Sequence, residues 1–167
     1  MLLALYWGFA HAQPAAPGVR YEPSPPTVVQ AMTDLAAVKA GDVVYDLGCG
    51  DGRIVIAAAK LGARAVCVDI DPLRIADAQE NARGEGVAER IQFRNEDLFA
   101  VDLRDATVVM LFLSPEFNLR LRERLQRLAP GTRIVSHWHG MGDWKPRKSV
   151  NVRRGWREHP VYLWVTG

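Results

Sequence analysis

The chain has 167 residues, the length of one ordinary domain, and 49% of them are hydrophobic. This composition excludes a disordered or fibrous chain and allows a hydrophobic core. The net charge is only +2, yet residues 1–119 carry 10 Lys/Arg against 16 Asp/Glu, whereas residues 120–167 carry 11 against 3. The first part of the chain is therefore acidic and the second part is basic.

The N-terminal segment has the pattern of a leader. Residues 1–12 are apolar and end in Ala10-His11-Ala12, and residues 13–18 have the composition of a linker. An apolar segment before an A-x-A pattern is typical of a secretory signal, although the basic start of such a signal is absent. The segment is shorter than the roughly 20 residues that span a bilayer. We therefore expect a signal-like or disordered leader over residues 1–19 and one domain over residues 20–167.

Predicted strands and helices alternate along this domain. The predicted strands are residues 42–46, 64–69, 91–94, 106–113 and 132–138, followed by 150–152 and 161–165 with no helix between the last two. Alternation of strands and helices predicts an α/β fold with a doubly wound, mostly parallel sheet. The closing pair predicts a C-terminal antiparallel hairpin, which makes seven strands in all.

Two predicted helices begin with recognisable signals. Residues 27–30 (TVVQ) have the form of a capping box, and Asp71 followed by Pro72 has the form of an N-cap with proline at the first helical position. The two cysteines, Cys49 and Cys67, have no partners at the spacing of a metal site. We expect both to be small buried residues.

Residues 43–53 (VVYDLGCGDGR) place a strand, a glycine loop and a helix start in succession. The three alternating glycines let a ligand approach the main chain. A dinucleotide fingerprint, G-x-G-x-x-G, would need glycine where Arg53 stands. Asp46 and Asp51 disfavour a pyrophosphate and suit a cationic ligand, and S-adenosylmethionine (SAM) carries an ammonium and a sulfonium group. The loop therefore predicts a SAM site.

Acidic residues follow the next two strands as well. Ligands of such sheets bind beyond the carboxyl ends of the strands. Asp69 ends the second strand, 21 residues after Gly48, where a carboxylate holds ribose hydroxyls. Asp97 follows the third strand and can accept from an adenine amino group, while Leu98 or Phe99 packs on the ring. Acids after three successive strands favour a nucleoside site over chance.

Together these motifs resemble the class I SAM-dependent methyltransferases. More narrowly, the chain is similar to a family of small lysine methyltransferases whose eukaryotic members act on mitochondrial proteins. The matching segments are Tyr21-Glu22-Pro23-Ser24 and residues 46–55, 69–71, 96–99, 111–116 and 130–137. This resemblance covers residues 20–165 and implies a Rossmann-like class I fold, SAM as the cofactor and a lysine acceptor. The SAM-binding residues that it implies are Asp46, Gly48, Gly50, Asp69 and Asp97. Cys49, Ile70, Leu98 and Leu111 complete the predicted cofactor site.

Methyl transfer requires alignment of the nucleophile and exclusion of water rather than a strong base. The candidate catalytic residues are Tyr21, Ser114, His137 and Trp144, and Leu113, Trp138 and His139 extend the predicted acceptor wall. Aromatic faces can hold a lysine ammonium by cation–π attraction. Core packing is an equal alternative for Trp138 and Trp144.

Asp143 and Asn118 are two further polar residues that lie near this predicted wall in the sequence. His137 and His139, with Asp143, would make a poor metal site because a metal needs three or four placed ligands, and no metal is expected. A hydrogen-bonded structural role for His137, or a base role for either histidine, is favoured over a metal site. Asn118 is predicted either to face the pocket or to lie on the surface.

Several alternatives stay open. The acceptor is a protein lysine or a small molecule, and a SAM-binding protein without turnover is a third possibility; no nucleic acid is expected. The basic residues 145–157 are a solvated loop or a docking surface for an acidic partner or a membrane. The need for SAM favours the cytoplasm, whereas the leader favours export to the periplasm.

Overall fold

The computed structural model describes residues 22–167, so the predicted leader and Tyr21 lie outside the described residues. Within this range seven strands form one sheet. In chain order they are β1 Val43–Leu47, β2 Arg64–Asp69, β3 Ile91–Asn95, β4 Val108–Leu111, β5 Arg133–His137, β6 Lys148–Arg154 and β7 Arg157–Val165. In space their order is β3-β2-β1-β4-β5-β7-β6.

The first five strands are parallel, and β7 runs antiparallel to both β5 and β6. This confirms the predicted α/β fold with a C-terminal antiparallel hairpin. The order of the strands reverses between β1 and β4, and a crevice opens beyond the strand ends at such a switch point. Because β7 is antiparallel, its first residues lie at the same edge as the last residues of β4 and β5.

Helices cover both faces of the sheet. The four α-helices are α1 Pro26–Leu35, α2 Arg53–Lys60, α3 Pro72–Gly84 and α4 Pro115–Gln126. The first three pack into one apolar cluster, and α4 packs into a second cluster on the opposite face. No helix among residues 22–167 combines the length and the hydropathy of a membrane span.

One of the two predicted helix starts is confirmed. The Asp71 side chain accepts from the Leu73 N–H at 2.9 Å and caps α3. The predicted capping box at residues 27–30 is wrong, because α1 begins at Pro26 with Pro25 in the N-cap position and no side chain caps it. The fixed φ of proline suits the first helical position, so the helix starts before the threonine.

Both cysteines are buried, as predicted, but they are joined to each other by a disulfide. Cys49 lies in the glycine loop after β1, and Cys67 lies inside β2. The bond therefore links the loop covalently to the neighbouring strand. Disulfides are typical of proteins in oxidising compartments.

Removing the disulfide should lower the free energy of unfolding by about 3 kcal/mol, since it closes a loop between residues 18 apart. The double variant Cys49→Ala/Cys67→Ala avoids leaving buried hydroxyls or free thiols. Urea unfolding of the variant and of the wild type, each with and without dithiothreitol, measures the effect. Dithiothreitol should lower the wild-type midpoint and leave the variant unchanged. Equal midpoints for all four samples would show that the bond contributes nothing.

Candidate active site

The glycine loop, residues 48–52, lies against the end of β2. The N–H groups of Gly48 and Cys49 both donate to the Val68 carbonyl, at 2.8 and 3.0 Å. Gly48 has a φ of 82°, and a Cβ at this position would lie only 2.9 Å from Leu113 Cδ2. The positive φ therefore favours glycine, and a side chain at this position would also displace Leu113. At Gly48, where the ends of β1 and β4 meet, the main chain is therefore not covered by a side chain of its own.

Asp69 connects the glycine loop to the turn after β2. Its Oδ2 accepts from the Gly50 N–H at 3.0 Å, and its Oδ1 accepts from the Asp71 N–H at 3.0 Å. The two turns that are predicted to share one ligand are thus in direct contact. The half-buried carboxylate is held in a fixed orientation, as a group that binds ribose hydroxyls must be.

Asp46 is the acid of this site whose pKa is shifted most. Its side chain is 1% exposed, and its Oδ2 has no hydrogen-bond partner among the described residues. Burial, the Asp69 carboxylate and the Asp51 carboxylate together raise the pKa of Asp46 to about 8. A cationic group bound nearby would stabilise the ionised form. The unpaired oxygen and the surrounding negative charge therefore fit the ammonium and sulfonium of SAM.

Asp51, the other loop acid, is already paired within the chain. Arg53 Nε donates to Asp51 Oδ1 at 3.0 Å, and Arg53 Nη1 donates to the Ser24 carbonyl at 2.9 Å. Arg53 thus offsets one of the two charges on which the prediction of a cationic ligand rests. It also ties the segment before α1 to the glycine loop.

The adenine end of the predicted site lies beyond β2 and β3. Ile70 is 68% exposed directly after Asp69, which suits an apolar contact with a flat ring. Asn95 Nδ2 donates to the Asp69 and Ile70 carbonyls at 3.0 and 2.9 Å and fixes this turn. Asp97 is exposed and accepts from the Phe99 N–H at 2.9 Å.

The remaining predicted SAM residues differ in their surroundings. Leu98 is half-buried beside the cluster that faces α4. Leu111 is fully buried in that cluster, so only its main chain lies at the end of β4. Cys49 is bound in the disulfide and offers only its main chain. The individual SAM contacts of all nine residues stay predictions.

A cavity of about 610 Å³ lies at the sheet edge where β4 and β5 end. Here it is called the acceptor pocket. Three segments line it, namely the chain before α1 (Glu22, Pro23, Pro25), the ends of β4 and β5 (Phe112, His137, Trp138, His139) and the hairpin (Arg154, Trp156, Arg157, His159). Phe112 is adjacent in sequence to Leu113, which abuts Gly48. The pocket therefore lies at the same edge of the sheet as the predicted SAM site.

A chain of hydrogen bonds runs along one wall of this pocket. His137 Nδ1 lies 2.9 Å from Ser24 Oγ, and His137 Nε2 lies 3.1 Å from His159 Nδ1. The Phe112 ring packs on the His137 ring with centroids 4.0 Å apart. Burial, His159 and His139 lower the pKa of His137 to about 4, so this imidazole is neutral at physiological pH.

Trp138 and His139 complete the end of β5. Trp138 has a φ of 72°, which is unusual for a residue with a side chain and is found at functional sites. Burial lowers the pKa of His139 as well. The strained turn directs the chain so that three successive residues, 137–139, line one pocket.

Ser114 and Trp144, two further predicted catalytic residues, are not among the residues that line this pocket. Ser114 caps α4, and its Oγ accepts from the Phe117 N–H at 3.3 Å. Trp144 packs on Trp164 with ring centroids 5.8 Å apart, and its carbonyl accepts from Trp164 Nε1. This is the core packing that is the alternative for Trp144. Tyr21 lies outside the described residues, so its role stays a prediction.

Asn118 is fully buried rather than at the surface. Its Nδ2 donates to Ser136 Oγ at 3.1 Å and to the His139 carbonyl at 3.0 Å, so it supports the turn at the pocket from the opposite face. Among residues 22–167 no three His, Cys, Asp or Glu side chains cluster as metal ligands would. Asp143, the third group of the disfavoured metal site, is ion-paired with Arg122.

Sequence reasoning does not find His159. It lies 22 residues from His137, and only the antiparallel pairing of β7 with β5 brings the two rings together. His159 also lies outside the predicted strand 161–165, because β7 begins four residues earlier. Extension of the alternating pattern towards residue 157 is the available signal, because it places His159 on the same face as Val161 and Leu163.

The sheet order, the bare glycine loop and the acid that connects it to β2 are those of a class I SAM-dependent methyltransferase. Comparison with known proteins makes the assignment more specific. A family model described as the ANTKMT methyltransferase domain matches residues 46–148. The chain belongs to this family, and SAM is its cofactor.

Three relatives illustrate the match. A Saccharolobus islandicus protein named "Protein-lysine N-methyltransferase" is 44% identical over 154 residues, which are 90% of this chain and 96% of that protein. The mouse "Adenine nucleotide translocase lysine N-methyltransferase" is 35% identical over 120 residues, 71% of this chain and 52% of that protein. A Salinibacter ruber protein named "RNA methyltransferase", solved with S-adenosyl-L-homocysteine, superposes with a TM-score of 0.81 at 46% identity. The superposition covers 86% of this chain and 93% of that chain.

Proposed function

We propose that this enzyme methylates the side-chain amine of a lysine in a protein substrate. The observation that carries the proposal is the acceptor pocket, which opens at the same sheet edge as the glycine loop and is walled by aromatic and histidine side chains. Its volume of about 610 Å³ can accommodate an extended lysine side chain with its flanking residues. The names of the Saccharolobus and mouse relatives support the same acceptor class.

The pocket residues suit an amine that must approach as a cation and react as a neutral nucleophile. SAM supplies a methyl group bonded to a positively charged sulfur. The Trp138 indole offers a face for the incoming ammonium, and Phe112 and Pro25 exclude water from the reacting nitrogen. Exclusion of water also disfavours the charged form of the amine and so lowers its pKa.

Incubation of the enzyme with methyl-labelled SAM and a bacterial lysate should place the label in protein. Acid hydrolysis of the protein fraction should then yield methylated lysine, because the pocket suits a primary amine. Parallel samples with ribonuclease and with protease identify the class of the labelled material. The variant Asp69→Asn in the same lysate is the control for methylation by other enzymes.

The other outcomes would assign either a different acceptor or no methyl transfer. Label removed by ribonuclease would assign an RNA acceptor, the class that the name of the Salinibacter protein specifies. Label in the small-molecule fraction would assign a metabolite. The absence of any label above the Asp69→Asn control would leave a SAM-binding protein without turnover.

The basic face of the hairpin is proposed to dock an acidic segment of the protein substrate. Arg154 and Arg157 line the acceptor pocket, and Trp156 between them on the chain is 88% exposed. Positive charge at the mouth of a pocket attracts acidic partners. Mapping the labelled lysines from the lysate experiment tests this, since acidic residues should flank them. Labelled lysines in neutral or basic surroundings would contradict it.

A further inference from the structure

The chain of hydrogen bonds from Ser24 through His137 ends at His159, which lines the acceptor pocket. Ser24, His137 and His159 are 3%, 1% and 6% exposed, so water competes little for their mutual hydrogen bonds. These hydrogen bonds occupy both ring nitrogens of His137 and the Nδ1 of His159. The Nε2 of His159 has no hydrogen-bond partner among residues 22–167, so it is the ring nitrogen left for a ligand in the pocket.

When both imidazoles are neutral, the hydrogen bonds among Ser24, His137 and His159 allow only two arrangements of the ring protons. A neutral imidazole carries one N–H, so one nitrogen of His137 donates and the other accepts. In one arrangement His137 Nε2 donates to His159 Nδ1, and His159 then carries its own proton on Nε2. In the other arrangement His159 Nδ1 donates to His137 Nε2, and His137 Nδ1 donates to Ser24 Oγ.

The second arrangement leaves an unshared electron pair on His159 Nε2, available to the pocket. We propose that His159 Nε2 accepts the proton that the acceptor lysine loses, and that His137 and Ser24 are positioning residues which hold His159 in the required tautomer. This inference rests on the proposed function, because it needs an ammonium acceptor in the pocket. It adds to that function the group that receives the proton.

The proton transfer balances within the pocket. An N–H bond of the lysine ammonium breaks, its electron pair stays on the lysine nitrogen, and the proton bonds to His159 Nε2. The imidazolium formed at His159 keeps its Nδ1–H donated to His137 Nε2. After methyl transfer the proton leaves His159 for water at the pocket mouth. His137 is suited to its accepting role because its lowered pKa keeps it neutral while His159 is charged.

Other charged and titratable groups also line the pocket around His159. Glu22 contributes from the segment before α1, His139 from the turn after β5, and Arg154 and Arg157 from the hairpin. Glu22 and Arg157 are close to each other, with 4.0 Å between carboxylate and guanidinium. Arg154 adds positive charge to the same pocket.

The tautomer can be tested without any acceptor. Long-range ¹H–¹⁵N spectra of histidine-labelled enzyme report which nitrogen of each ring carries the proton. The wild type should show His159 protonated on Nδ1, and Ser24→Ala should add the Nε2-protonated form of His159, because His137 Nδ1 has lost its partner. A wild-type His159 protonated on Nε2 would overturn the proposal.

The role in turnover is tested with His159→Gln, which keeps a polar side chain of similar size. Initial rates of methyllysine formation are measured from about pH 6.5 to about pH 9.5, with lysate proteins as the acceptor at limiting concentration. The variant should be about 100-fold slower near neutral pH, the usual contribution of a positioned base. Its deficit should shrink towards the alkaline end, because solvent then deprotonates more of the lysine. SAM affinity by calorimetry should be unchanged and confirms the fold of the variant.

The outcomes separate this inference from the proposed function. Methyllysine formed by both enzymes with parallel pH profiles would overturn the role of His159 and leave the lysine acceptor standing. Label that appears only in RNA or in small molecules would overturn both. A pH-dependent deficit of His159→Gln, with normal SAM binding, supports both.

Discussion

The variant Asp69→Asn should bind SAM about 100-fold more weakly than the wild type. This loss of affinity corresponds to roughly 3 kcal/mol, which is expected for two hydrogen bonds from the ribose hydroxyls to a charged carboxylate. Asp69 is held by the Gly50 and Asp71 N–H groups at the end of β2, and this fixes its carboxylate at the edge where the ribose is expected. Asparagine keeps an acceptor oxygen for one of these N–H groups. The loop should therefore survive while the charge is lost. Titration calorimetry with SAM measures the difference.

Asp77→Asn is the matched control for this change. Asp77 is an exposed acid on α3 that pairs with Arg74 at the surface, and its loss removes the same charge from the chain. SAM affinity should stay within about twofold of the wild type, since an exposed ion pair contributes little. If Asp69→Asn bound SAM as tightly as Asp77→Asn, the assignment of the ribose to Asp69 would be wrong.

The second large effect concerns Asp46 and the stability of the cofactor-free enzyme. The pKa of Asp46 is raised from 3.8 to about 8 by burial, Asp69 and Asp51. The folded chain therefore keeps a proton that the unfolded chain releases as the pH rises through this window. The free energy of unfolding should fall from about pH 4 to about pH 8 and then level off. Asp46→Asn should lack this fall, so the variant should be more stable than the wild type above this window.

Thermal or urea unfolding at about pH 5, 7 and 9, without cofactor, checks the sign. The wild type should lose stability relative to Asp46→Asn as the pH rises across these three values, because the penalty for ionising the buried carboxylate is complete only at the highest of them. A constant difference across the three pH values would mean that Asp46 does not titrate in this range.

SAM binding should couple to the same proton. If the cationic groups of SAM approach Asp46, they lower its pKa and expel the proton near neutral pH. Calorimetry in two buffers of different ionisation enthalpy should then show a buffer-dependent binding enthalpy for the wild type. Asp46→Asn should show weaker binding and no dependence on the buffer. A wild-type enthalpy that is the same in both buffers would place the cation away from Asp46.

The parallel part of the fold can be predicted well from the sequence because its signals are local. β2 occupies the predicted residues 64–69, and the glycine loop and the Asp71 cap lie where the pattern places them. Buried parallel strands are nearly continuous apolar runs, and glycine and proline mark their ends. The contact between the glycine loop and Asp69 follows from the rule that parallel strands end at one edge.

The acceptor side is less predictable because it depends on partners far apart in the chain. Ser24 and His137 are separated by 113 positions, and no periodicity relates them. Trp144 is a large aromatic near the end of β5, yet it packs on the face that carries α4, opposite to His137. The Cys49–Cys67 disulfide does have a signal in the sequence, since an even number of cysteines, together with the predicted secretory-like leader, favours pairing.

The reversed direction of β7 has a consequence for how the specificity of this enzyme can change. The groups that are predicted to meet the cofactor come from the ends of β1, β2, β3 and β4, whereas the hairpin of β6 and β7 reaches the pocket from the opposite border of the sheet. Exchange of residues 148–165 for the hairpin of a relative would therefore leave the methyl donor site intact and replace one wall of the acceptor pocket. The predicted SAM site and this one wall of the acceptor pocket thus lie in separate segments of the chain, so the wall can diverge in evolution while the SAM site is kept.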